Sequence, residues 1–234
     1  MEHKSDASEF DRFAGNYADL ADHPVRRAFA EKATFFHQRK IEVLLRALKK
    51  MGAEPSSLEW IDVGCGQGDL LKLGKDRFRV ASGCDVSREM TQHCDVVPAL
   101  HQTDPVAIPF ADVSADLITA ACVFHHVERE QQLALLRDIV RTLKIGGWFA
   151  MIEHNPWNPV TQWIVRHTPV DINAKLLFPG EAARLMRKAE LRVEAKEFFL
   201  CFPEMLYHRC AAIESSLSKL PFGGQYLIVG RRVR

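Results

Sequence analysis

One stretch constrains the fold of this chain more than any other: Leu58-Glu59-Trp60-Ile61-Asp62-Val63-Gly64-Cys65-Gly66-Gln67-Gly68-Asp69-Leu70-Leu71. Leu58 to Val63 is a short apolar run with β-branched members, the pattern of a buried strand. Glycines then occupy every second position, 64, 66 and 68, and Asp69-Leu70-Leu71-Lys72-Leu73 opens a helical pattern. Strand, glycine turn and helix start in that order make a cradle for a nucleotide-like ligand. Glycine lets the backbone turn sharply and approach a ligand with no Cβ in the way, and the free N–H groups of the helix start face it. The spacing narrows the ligand. A dinucleotide fingerprint needs G-x-G-x-x-G, whose third glycine would fall on Asp69, and no G-x-x-x-x-G-K-[ST] phosphate loop is present.

The whole chain bounds the rest. Its 234 residues suit one α/β domain with some decoration. Lys plus Arg is 31 and Asp plus Glu is 30, a net charge of +1 that gives no support to nucleic acid as the main partner. No apolar run approaches the roughly 20 residues of a membrane span, and Met1 to Asp6 lacks the apolar core of a signal peptide. The cysteines (65, 84, 94, 122, 201 and 210) are scattered, without a C-x-x-C pair or a zinc spacing. Reduced thiols and a cytoplasmic location are expected. No oligomeric state is read from the sequence.

Asp62-Val63-Gly64-Cys65-Gly66-Gln67-Gly68 closely resembles the first motif of class I S-adenosylmethionine (SAM) dependent methyltransferases, in their type 11/12 or UbiE-like group. The resemblance implies a doubly wound α/β fold: a seven-stranded, mostly parallel, Rossmann-like sheet carrying N-terminal helices (10–55) and a lid insertion after the fifth strand. It also implies SAM as cofactor, S-adenosylhomocysteine as product, and Asp62, Gly64, Cys65, Gly66 and Gly68 at the cofactor. The rival enzyme reading, a nicotinamide-dependent dehydrogenase, is disfavoured by the glycine spacing.

Further motifs follow in order. Phe10, Phe13 and Tyr17 recur on one helical face. The family's leading helix implies that Tyr17 nears the amino-acid end of SAM; core packing is the alternative. A helix is expected over about 25–50. Arg79 to Asp85 reads as the second strand, and Asp85 ends it 85 − 62 = 23 residues after Asp62. A carboxylate there offers two oxygens to a ribose diol, or else caps the next helix. The resemblance adds Val86 beside the adenine. Val96 to Thr103 is a third strand, leading into Asp104-Pro105-Val106-Ala107-Ile108-Pro109-Phe110. This is similar to a family element whose Asp accepts from the adenine amino group, while the next residue donates its N–H. Here that residue is Pro105, which has none.

Asp116 to Val127 reads as the fourth strand and its turn. Ala121 and Cys122 are small enough to run beneath the cofactor, and His125-His126 begin the substrate face. A helix over Glu128–Lys144 is expected to end at Gly146-Gly147, before a fifth strand at Trp148–Glu153. The segment 154–178 that follows is too long for a minimal crossover and reads as a substrate lid. Glu153, His154 and Asn155 are placed to face the acceptor, or else to bond the lid's own turns. His154, then His125 and His126, are candidate bases. Methyl transfer from a sulfonium needs no metal, and none is expected. The acceptor is expected to be a small or lipid-like molecule. A non-catalytic SAM-binding scaffold and a protein or RNA methyltransferase are the alternatives.

Overall fold

The computed structural model describes residues 10–16, 27, 29–171 and 173–234. Seven strands form one sheet: β1 Glu59–Val63, β2 Val80–Asp85, β3 Ala99–His101, β4 Ala115–Ala121, β5 Leu143–His154, β6 Leu191–Phe199 and β7 Gln225–Arg232. Their spatial order is β3-β2-β1-β4-β5-β7-β6. The pairings among β1 to β5 are parallel, and β7 inserts antiparallel between β5 and β6. The chain order reverses direction across the sheet at β1 and β4, so a crevice opens beyond their carboxyl ends.

Strand periodicity divides the core into two layers. Ile61, Val63, Ile118, Ala120, Phe149 and Met151 point to one face, where helices α4 (Arg129–Thr142) and α6 (Pro179–Lys188) bring Leu136, Ile139, Ala182 and Met186. Trp60, Leu117, Ala150 and Ile152 point to the other, against Val43, Leu44 and Leu48 of α1 (Thr34–Lys50) and Leu70 and Leu71 of α2 (Asp69–Gly74). Apolar residues on both faces of each central strand explain why these strands read as near-continuous hydrophobic runs.

Three short helices or turns complete the ligand side. Asp11–Asn16 is a 3₁₀ turn, α3 spans Arg88–Gln92, and α5 spans Pro159–His167. Asn158 caps α5 by accepting from Thr161 N at 2.9 Å, with Pro159 at its first position. The last helix, α7 (Glu204–Leu217), is tied to α1 by buried Arg39, which pairs with Glu214 and lies 3.7 Å over the ring of Tyr207.

Two boundaries differ from the sequence reading. The first long helix starts at Thr34, and residues 29–33 are turns; the start expected near Val25 lies outside the described residues. Helix α4 ends at Thr142, before the glycine pair, because buried Leu143 pairs with Ala115 and already belongs to β5. Gly146, at φ +85°, and Gly147 instead form an irregularity in that strand, and Arg232 donates to the Val140 and Arg141 carbonyls at the helix end.

Candidate active site

The three glycines of the loop all take positive φ, at +70°, +53° and +83° for Gly64, Gly66 and Gly68. Beyond that they differ. A Cβ on Gly64 would meet Val123 Cγ2 at 2.4 Å, and one on Gly68 would meet Cys94 Sγ at 2.6 Å, so both are needed for close packing. A Cβ on Gly66 would meet nothing within 4 Å and would project into open space. Gly66 is the position where the loop backbone is open to a ligand.

That space is a cavity of about 400 Å³ at the carboxyl ends of the strands, the size of a small-ligand site. Asp62, Gly64, Cys65, Gly66, Asp85, Val86, Pro105, Ala121 and Cys122 line it, all of them singled out from the sequence. Asp85 is buried and accepts Gly66 N at 2.9 Å and Ser87 N at 2.8 Å, one on each oxygen. Each oxygen keeps a lone pair, the capacity a ribose diol requires. Burial raises its carboxyl above the usual range, and the two amides oppose that.

Asp62 sits deeper. Trp60 Nε1 donates to Thr119 Oγ1 at 2.8 Å, and the Thr119 hydroxyl donates in turn to Asp62. Burial pushes the Asp62 carboxyl up to about 7, against the Thr119 bond and the charge of Lys40. Lys40, a buried residue of α1, lines the cavity beside it. Gly68 and Asp104 do not line it. The Asp104 carboxylate is exposed and accepts from Val106 N at 2.9 Å, capping its own turn, while buried Gln102 takes the cavity position. Tyr17 lies outside the described residues.

The opposite end of the cavity holds the titratable groups. His126 and His154 line it; His125 lies behind them, 1 % exposed. Glu153 does not face the acceptor side: its Oε1 accepts Val123 N and Phe124 N at 3.1 and 2.7 Å, and its Oε2 bonds His125 Nδ1. Asn155 likewise bonds the Pro221 and Gly223 carbonyls and Gly224. Asp171, at the end of the turn after α5, brings Oδ1 to 3.7 Å from His125 Nε2 and 3.5 Å from His126 Nε2. Burial works against charge here, yet the two carboxylates hold His125 well above the ordinary imidazole range. Cys122, the residue after β4, sits at φ +63°, a strained conformation for a residue with a Cβ. Burial would raise its thiol, but Lys40 and His154 bring it down to about 6.

Apolar walls connect the two ends. Phe10, Phe29 and Phe36 come from the N-terminal region, and Val160, Ile164 and Val170 from the segment after β5. Phe10 packs edge-on against His126 at 5.0 Å, and Gln67 Nε2 holds the Asp11–Asn16 turn over the glycine loop by donating to Ala14 O at 2.7 Å. Lys40, Gln102, Asp171 and Gln225 also line the cavity, and none of them was singled out from the sequence. Only Asp171 carried a signal, since it falls within the expected lid.

The fold and cradle define a class I SAM-dependent methyltransferase domain. Residues 61–151 match the methyltransferase-domain family Methyltransf_11, and the chain carries such a domain, with SAM as its cofactor. Among curated proteins it is similar to tRNA (carboxymethyluridine(34)-5-O)-methyltransferase ALKBH8 of Mus musculus. The two are 29% identical over 132 residues, covering 55% of this chain and 19% of that protein. The chain thus spans about a fifth of the length of this relative. Among solved structures it superposes on a SAM-dependent methyltransferase from Archaeoglobus fulgidus with TM-score 0.62, 19% identity and coverage of 84% and 98%. It also superposes on a complex of the Haloferax volcanii Trm112 methyltransferase activator and its putative methyltransferase, with TM-score 0.66, 22% identity and coverage of 97% and 98%. Among the described residues, no helix is long and apolar enough to cross a membrane.

Proposed function

We propose that this chain transfers a methyl group from SAM to an O, N, C or S atom of a small or lipid-like molecule. The observation that carries the reading is the single cavity running from the glycine loop and Asp85 to His126 and His154, between apolar walls. SAM supplies the methyl group as a sulfonium. Asp85 takes the ribose hydroxyls, Val86 and Pro105 flank the base, and Gly66 lets the backbone approach. Asp62 and Lys40 form a pair of opposite charges for the amino-acid end. Phe10, Phe29 and Phe36, with Val160, Ile164 and Val170, exclude water and hold the acceptor in line with the methyl group. His154 and His126 present imidazoles to the acceptor, where one takes a proton if the acceptor must lose it.

The likeness to ALKBH8 favours a second reading, in which the acceptor is RNA. A net charge of +1 and apolar cavity walls weigh toward the first. Incubation with methyl-labelled SAM and either a solvent extract of small molecules and lipids or total tRNA separates them. Label in the organic-extractable or small-molecule fraction supports the proposal, and label in tRNA supports the RNA reading. Label in neither, with SAM still bound, supports a non-catalytic protein. His154→Ala is expected to lower turnover ~10²-fold with SAM affinity kept; unchanged turnover would remove His154 from the reaction.

A further inference from the structure

We propose that His125, His154 and Asp171 form a binding site for one divalent transition-metal ion of the zinc class, on the acceptor wall of the cavity. One ligand atom from each residue lies within 4.8 Å of the other two, and all three residues are buried. The nitrogen His125 Nε2 has no hydrogen-bond partner; the nearest Asp171 oxygen is 3.7 Å away, too far for a hydrogen bond. Glu153 and Asp171 hold a proton on this charged ring, and an ion between Nε2 and Asp171 would take that proton's place. Bonds of about 2.0–2.2 Å to a tetrahedral ion bring ligand atoms to roughly 3.4 Å apart. Small rotations of the His154 and Asp171 side chains close the difference.

The surroundings are those of a metal site. Glu153 takes the other ring nitrogen of His125, the carboxylate–histidine arrangement that fixes tautomer and ring orientation for a metal ligand. Glu153 is itself held by the Val123 and Phe124 amides, so the ring has little freedom to turn away. Buried Gln132 grips the same loop by donating to the Phe124 and Val127 carbonyls, at 3.0 and 3.1 Å. Two imidazoles and one carboxylate suit zinc or ferrous iron; calcium and magnesium prefer all-oxygen sites. Three protein ligands leave at least one position open, and His154 and Asp171 line the cavity, so that position faces the acceptor. An oxygen, nitrogen or sulfur atom of the acceptor fits there. With His154 holding the ion, His126, whose Nε2 lies 3.5 Å from Asp171 Oδ1, is the imidazole left to take a proton from the acceptor. The sequence hides the site because Asp171 lies 171 − 154 = 17 residues beyond His154 and arrives only through the fold of the segment after β5.

The test is titration of the chelator-treated protein with Zn²⁺ and, separately, Co²⁺, with S-adenosylhomocysteine affinity measured on the same samples. One ion per chain is expected, bound with micromolar or tighter affinity. Asp171→Asn is expected to weaken it at least tenfold, and Glu153→Gln about ten- to a hundredfold. The unsubstituted protein with Co²⁺ should show paramagnetically shifted proton signals from two imidazoles, a readout independent of whether any variant folds. No stoichiometric ion, or affinity unchanged in a folded Asp171→Asn variant, would overturn the site. S-adenosylhomocysteine binding that persists in that case leaves the methyltransferase reading intact, so the two fail separately.

Discussion

Cofactor affinity is expected to climb with pH between 5.5 and 7.5, with Asp62 setting the slope. Burial lifts this carboxyl to about 7 in the ligand-free cavity, from an ordinary value of 3.8. SAM brings a sulfonium and an ammonium into that cavity, and a cation beside a buried carboxylate favours its charged form. In the complex the group therefore titrates well below 7, and binding displaces its proton. A return to the ordinary value in the complex, a gap of 7 − 3.8 = 3.2 pH units, corresponds to a coupling of about 4 kcal/mol. A group titrating near 7 is ~3 % ionised at pH 5.5 and ~76 % at pH 7.5, so the affinity should rise about 25-fold over that interval. The sign for folding is the opposite. A carboxyl with a raised value is stabilised by its proton, so the ligand-free fold loses stability as pH rises through 7. Calorimetry at pH 6 in two buffers of different ionisation enthalpy should show ~0.9 proton released per SAM. The range stops at pH 7.5 because the ligand's own α-amino group titrates at about 7.7–8.0. Equal affinity at the two pH limits, or a slope that survives Asp62→Asn, refutes the reasoning.

Four further substitutions test the glycine loop and the ion pairs that hold the helices behind it. Gly64→Ala drives a Cβ to 2.4 Å from Val123 and should unfold the loop, seen as a large drop in melting temperature. Gly66→Ala meets no atom within 4 Å, so it should leave most of the stability and reduce SAM affinity instead; comparable melting of the two variants would contradict the assignment. Glu197 is buried between Arg46 at 2.8 Å and Lys50 at 2.6 Å. Burial opposes its charge, but the two cations hold its carboxyl below the ordinary 4.5, so its contribution is present above that pH and fades as pH falls through the lowered value. Glu197→Gln should cost about 1–2 kcal/mol in urea unfolding at pH 7 and progressively less as pH falls below 4.5. Glu214→Ala strands the buried Arg39 guanidinium and should cost about 3–5 kcal/mol; a loss under 1 kcal/mol would mean that Glu42 and Tyr207 suffice.

Local patterns carried most of the architecture and half of the site. The elements from β1 to β5 each announced themselves through apolar runs, glycines or helical spacing, and the glycine-loop end of the cavity was legible because most residues lining it lie at strand ends within one motif each. Asp62, Gly66 and Asp85 needed no knowledge of the partner strands. Where the reading strayed, a tertiary contact outweighed a local signal. Gly146-Gly147 looked like a helix stop, but the buried pairing of Leu143 with Ala115 drew the strand back past it. Asp104 matched a motif, yet its turn satisfies its own carboxylate.

The sequence by itself determined the strand–glycine–helix cradle and most of the residues that line the cavity beside it, because neighbouring residues on one strand end share one environment. Only the tertiary structure decided the acceptor end. There Glu153 turned inward to hold His125, Asn155 became a brace for the loop before β7, and Asp171 and Lys40 arrived from distant segments to flank His154 and Asp62. Local spacing cannot report such contacts. They arise when apolar faces on both sides of the sheet close, and the polar groups left at its edge must find partners in whatever segments are brought beside them.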